Sequence, residues 1–179
     1  MSREEIEQLK ERLLRAAKSD GTVYHELDDD PNAMRQSIGV VLISSLAAGI
    51  GSSGVMGWSA IVSGTFLGVI SWYIWGYLTH YIGSKFFPEP GTDVHVGKVL
   101  RNIGFSTSPG ILRIFGLIPP VFLPLAFIVS IWMLVTMVIA VKEALNYSTT
   151  QRAILVCMIG FFIQFFLLLI LSSFFTIGS

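Results

Sequence analysis

Residues 121–141, VFLPLAFIVSIWMLVTMVIAV, and residues 153–177, AILVCMIGFFIQFFLLLILSSFFTI, contain no charged side chain. Each exceeds the ~20 apolar residues that an α-helix needs to cross ~30 Å of hydrocarbon. Only the polar connector Lys142–Arg152 separates them. Outward from this pair, charge collects at the other end of the chain. Residues 1–35 hold six of the 12 Lys/Arg and nine of the 12 Asp/Glu, and the whole chain is 13% charged and 53% apolar. Soluble domains carry about 25% charged residues. The six basic and three acidic residues left for the other 144 positions cannot cover the surface of a water-soluble globule. The pattern predicts an all-α membrane protein with a cytoplasmic amphipathic head over 1–30 and a helix bundle over 31–179.

Five spans are expected, at about 32–53, 58–83, 94–118, 120–144 and 149–177. The first is rich in small residues (Gly39, Ser44, Ser45, Ala47, Ala48, Gly49, Gly51), which let neighbours approach closely, so it belongs inside the bundle. Gly51-Ser52-Ser53-Gly54 is its expected end. The second carries Gly64 and Gly68 as a close-packing face. It finishes in Trp72, Tyr73, Trp75, Tyr77, His80 and Tyr81, which read as an interfacial aromatic belt. In the third, Lys98, Arg101 and Arg113 flank Gly104-Phe105-Ser106-Thr107-Ser108-Pro109-Gly110. Pro109 removes a backbone donor and disfavours helix at Ser108. The segment is therefore a broken or kinked span, or a re-entrant pair of half-helices. Arg101 and Arg113 lie ~18 Å apart along a straight helix and could snorkel to opposite interfaces. Ser148 or Thr149 is the expected N-cap of the last helix, and Gln164 should face a neighbouring helix.

With five spans, Arg35, Lys85, Lys98, Arg101, Lys142 and Arg152 fall on the side of the amino terminus and Arg113 alone opposite. The positive-inside rule then places the amino terminus in the cytoplasm and the tail outside. A re-entrant third segment would return the tail to the cytoplasm.

In the head, Ser2 and Glu5 form a capping box. A helix over 2–18 buries Ile6, Leu9, Leu13 and Ala17 and exposes Glu4, Glu7, Glu11, Arg15 and Lys18. A short helix over 22–29 follows, with Val23, Tyr24 and Leu27 on one side. The mixed polar face is unlike the basic face of a lipid-surface helix, so the head is expected to pack on protein. Asp30 and Pro31 read as N-cap and first residue of the first span, with Asp28 and Asp29 near the positive helix end. His25-Glu26 lacks the second histidine of a zinc-protease motif, since Asp29 stands there. His80, Glu89, Asp93 and His95 share one interface at irregular spacing, and no metal or cofactor is expected. The lone Cys157 is read as a buried thiol.

Several of these landmarks recur together in a known family. Asp30-Pro31 is followed by Arg35-Gln36 and the small-residue span, then by a Gly-aromatic-x-x-x-Pro element at Gly104–Pro109. Trp132, Ala140-Val141-Lys142-Glu143-Ala144-Leu145, Ser148, Arg152 and Ala153 complete the set. From about Tyr24 onward the chain resembles the YIP family of Ypt/Rab-interacting membrane proteins, in its prokaryotic branch. The resemblance implies a five-span bundle with a cytoplasmic amino terminus, in a prokaryotic inner membrane. The Asp-Leu-Tyr-Gly-Pro motif of one eukaryotic subgroup is absent, so Rab binding is not implied.

No nucleophile elbow, P-loop or Cys/His metal spacing is present, so no enzyme is expected. A net charge of zero gives no basic footprint for nucleic acid. Two functions remain. One is a self-associating scaffold that organises membrane or recruits a cytoplasmic partner through the head with Lys142, Glu143 and Arg152. The other is a small oligomeric transporter or channel built on the broken segment, with Lys98, Arg101, Asn102, Ser106, Thr107 and Pro109 as its site.

Overall fold

The computed structural model describes residues 3–28, 30–90 and 94–177, with side chains as far as residue 166. The described residues form seven α-helices and one 3-10 helix, and no strand. Helices α1 (Arg3–Ala17) and α2 (Thr22–Asp28) make the head. The bundle consists of α3 (Ala33–Met56), α4 (Ser59–Phe86), α5 (Val96–Ser106), the 3-10 segment (Ser108–Leu117), α6 (Pro119–Ala144) and α7 (Thr150–Ile177). α3, α4 and α6 are each long and apolar enough to cross a membrane, and Thr150–Phe166 of α7 is a shorter apolar stretch. Their outer faces are hydrophobic, with Val62, Leu123 and Phe127 well exposed. Such a surface requires lipid around it.

The broken third segment is the organising feature. α5 ends at Ser106, and the chain continues past Thr107 in 3-10 geometry. Both pieces follow α3 in one direction. Ser37 Oγ donates to the Arg101 carbonyl (3.1 Å), and Ser44 Oγ to that of Thr107 (3.0 Å). Farther along, Gly51 lies against the Arg113 carbonyl and Gly54 against that of Leu117. The segment therefore advances along α3 and does not fold back. An α-helical rise of 1.5 Å and a 3-10 rise of ~2.0 Å give the two pieces a joint length of roughly 36 Å. α4 runs antiparallel on the other side of α3, with Gly64 facing the Gly49 backbone and Gly68 facing Ser45. The small residues of α3 thus serve contacts within this chain.

Two sequence expectations are corrected here. α3 runs through Gly51–Gly54, because Ser52 and Ser53 return their hydroxyls to the carbonyls of Gly49 and Ile50. It stops at Gly57, whose φ of 84° suits glycine. Nor are Trp72 and Trp75 part of an outward belt. Both are buried with Val99, Leu100, Ile103, Val141, Leu145 and Val156, while Tyr73, Tyr77 and Tyr81 stay exposed. Trp58, just before α4, is the most exposed of the tryptophans.

Candidate functional site: the head junction and the broken segment

The head is docked on the bundle. Ala16, Val23, Tyr24 and Leu27 are completely buried against Ala33, Val40, Phe105 and Ala140. Around this apolar contact stands a ring of polar ties. Arg12, almost fully buried on the inner face of α1, donates to Asp30 (2.5 Å) and to Gln36 Oε1 (2.7 Å). Asp30 also accepts from the Asn32 amide (2.7 Å). Asp30 is therefore not the N-cap expected of it but lies two residues before that position, since α3 begins at Ala33 with Asn32 as its cap. Lys98 pairs with Asp28 at 2.9 Å and also donates to Asn146 Oδ1, while Arg101 lies 3.9 Å from Asp28. On the far side of α2, His25 meets Glu143 at 3.1 Å, and Glu143 also pairs with Lys142. The Trp132 indole donates to the Ala17 carbonyl (2.7 Å).

Lys98 and Arg101, the expected attractors of a transported anion, are thus engaged by a carboxylate of the head. Ser106 and Thr107 return their hydroxyls to the carbonyls of Ile103 and Gly104. Carbonyls around the break also accept from neighbouring helices. Thr136 Oγ1 donates to Ser106 (2.8 Å), Ser44 to Thr107, and the Trp72 indole with Ser37 to Leu100. Non-helical backbone inside a membrane protein needs such partners. Gly104 is required there, since a Cβ would overlap Ser37 Oγ and press on the Trp72 indole. Pro109 is buried just beyond the break. Asn102 is fully buried with neither amide atom hydrogen-bonded, and nothing in the structure explains it.

Arg152, placed by sequence beside Lys142 and Glu143, belongs elsewhere. It pairs with Glu89 of the α4–α5 loop at 2.8 Å. Glu89 also accepts from the Ser148 amide (2.9 Å) and hydroxyl. The Ser148 amide, more than the hydroxyl or Arg152, holds this carboxyl below its usual range against partial desolvation. Glu89 thereby ties two connectors at the head end. Asp93 of the irregular acidic and histidine group lies outside the described residues, as does Ser2 of the capping box. The residue that sequence reading missed is Arg12. Its signal was position: Leu9, Leu13 and Ala16 place residue 12 on the apolar stripe, where a cation needs a partner.

The acidic ties set a pH response. The Asp20 carboxyl, at the α1–α2 turn, is held down to about 2 by the Thr22 hydroxyl, Arg15 and the Thr22 amide. For Asp30, burial pushes upward, but Arg12 and the Asn32 amide outweigh it and the net shift is downward. Carboxylates with depressed folded values stabilise fully above their unfolded value of about 4 and lose that contribution as pH falls through the folded value. The Asp30 tie should therefore hold at neutral pH and weaken as pH falls below about 4, while the Asp20 tie within the head is lost only towards about 2. The Trp132 contribution to fluorescence, obtained by difference from Trp132→Phe, should shift in that window. An unchanged signal down to pH 2 would remove Asp30 from the docking account.

The family model described as Yip1 domain matches residues 19–171. Neither a curated protein nor a solved structure matches the chain. The match begins at the turn before α2 and takes in α2, the break, the whole of α3, α4 and α6 and most of α7, so the chain belongs to the Yip1 domain family of membrane proteins.

Proposed function

We propose that this chain is a non-enzymatic, prokaryotic inner-membrane scaffold of the YIP family, with five crossings, a cytoplasmic head and an outer carboxy terminus. Self-association through the lipid-facing bundle is part of the reading. The observation that carries it is the orientation of α1. Its inner face is consumed by Arg12, Ala16 and the ties to α2 and α3, while Glu4, Glu7, Glu11 and Leu14 remain exposed outward. A docked helix that exposes Glu4, Glu7 and Glu11, the last two paired with Lys10 and Arg15 of the same helix, beside Ile6 and Leu14 suits a cytoplasmic partner with a basic, partly apolar surface. Lys98 and Arg101 cannot serve a permeating anion without releasing Asp28, and the Ser106 and Thr107 hydroxyls already serve backbone carbonyls. Both features favour a structural role for the broken segment over the transporter alternative.

Photo-crosslinking from position 14 in intact cells tests this, alongside topology reporters at both termini. A discrete adduct that Glu7→Lys and Glu11→Lys together abolish, with termini on opposite sides, is the expected result. No adduct, together with solute flux through the purified protein in vesicles, would overturn the scaffold reading. Termini on the same side would overturn the five crossings.

A further inference from the structure

Below the break, α3, α4, α6 and α7 enclose a cavity of about 640 Å³. A second space of about 240 Å³ adjoins it on the side of Gly116 and Phe122, and Ala48, Gly64 and Arg113 line both. Arg113 stands at the junction. From the 3-10 segment its guanidinium reaches inward and donates to Ser130 Oγ (2.9 Å), near the middle of α6. The side chain is thus tied to α6 by Ser130. Among the described residues no carboxylate lies within ion-pair distance of it, and its Nε is buried without a hydrogen-bond partner. A cation held inside a bundle calls for a counter-charge.

The rest of the lining has two characters. Ser45, Ser71 and Gln164 offer polar groups. Trp75, Met133 and Phe161 provide apolar and aromatic wall. Leu134, Phe161 and Phe165 line the cavity yet are substantially exposed, so it opens sideways on the lipid-facing surface. One uncompensated cation, a few hydroxyls, an apolar remainder and lateral access match an amphiphile with one anionic group. The volume falls in the range of ordinary ligand sites.

We infer that this cavity binds an anionic phospholipid, its phosphate on Arg113 and Ser130 and an acyl chain along Trp75, Met133 and Phe161. The occupant enters from the bilayer, not from water. Binding is separate from the recruiting surface on α1, which lies on the head outside these walls.

The test uses the purified full chain in detergent, with thermal stability followed against added phosphatidylglycerol, phosphatidylcholine or inorganic phosphate. Phosphatidylglycerol should raise the unfolding temperature in a saturable way, phosphatidylcholine far less, and inorganic phosphate not at all. Arg113→Gln should weaken the apparent affinity for phosphatidylglycerol about tenfold, as loss of a charge-assisted hydrogen bond implies. Arg113→Lys should retain part of it, and Lys85→Gln, at the exposed end of α4, all of it. If Arg113→Gln fails to fold, Ser71→Trp, which fills the cavity with the cation intact, should produce the same loss. An equal response to both lipids, or an undiminished response in Arg113→Gln or Ser71→Trp, overturns the site. Saturation by inorganic phosphate overturns the amphiphile and leaves a simple anion site.

Discussion

Gly51→Ala should lower the unfolding temperature of the purified protein clearly, whereas Gly39→Ala, the same change on the same helix, should leave it unchanged or raise it. A Cβ at residue 51 would overlap the Arg113 carbonyl oxygen. That atom is backbone and cannot rotate away, so the 3-10 segment must move off α3. The movement strains the Gly54–Leu117 approach one turn farther on and the hydrogen bond from Ser44 to Thr107. Overpacking of this kind costs typically about 1–3 kcal/mol, sometimes more. The helix gains only about 1 kcal/mol from Gly to Ala. At Gly39 no atom stands within 4 Å of the added methyl, so only the gain remains. Equal shifts for the two variants would mean that the α3 contact with the 3-10 segment is not a tight one.

The same contact explains what the sequence made legible. The long uncharged runs announced helices α6 and α7 because hydrocarbon selects composition residue by residue. The glycines and serines of α3 announced close neighbours for a similar reason, since only small side chains admit backbone at that distance. Pro109 marked the break. What periodicity could not supply was the partner of each polar group. Lys98 and Arg101 looked like a site because they stand next to an irregular segment. Their partner, Asp28, lies some seventy positions earlier in a separate helix. Trp72 and Trp75 looked interfacial because they cluster with tyrosines, yet residues 72 and 75 share the inner face of α4 whereas 73, 77 and 81 share the outer one. Arg113 was legible as an intramembrane cation, but the direction of its side chain depends on Ser130, which only tertiary packing supplies.

Arg12→Met should free the head while leaving the bundle intact. Arg12 and Asp30 are mostly shielded, with side-chain exposures of 5% and 15%. Removing one member of such a pair costs about 3–5 kcal/mol, because the other charge stays behind without compensation. Asp30 retains the Asn32 amide and some water, which places the expected loss near 3 kcal/mol. The loss is local. Amides of α1 and α2 should exchange with solvent about a hundredfold faster, since protection there reports the opening of that unit. Amides at the α3–α4 crossing near Gly49 and Gly64 should keep their protection. Asp30→Asn, which preserves an acceptor for the Asn32 amide, should have a smaller effect. In the double variant the two changes should fall short of additivity by about 1–3 kcal/mol, the coupling expected of groups in direct contact. Strict additivity would mean that the pair does not hold the head, and the docking would then rest on Tyr24, Leu27 and Ala16 against Val40, Phe105 and Ala140. If deprotection spread through α3 and α4 as well, the head would be a folding element of the bundle and not a platform mounted on it.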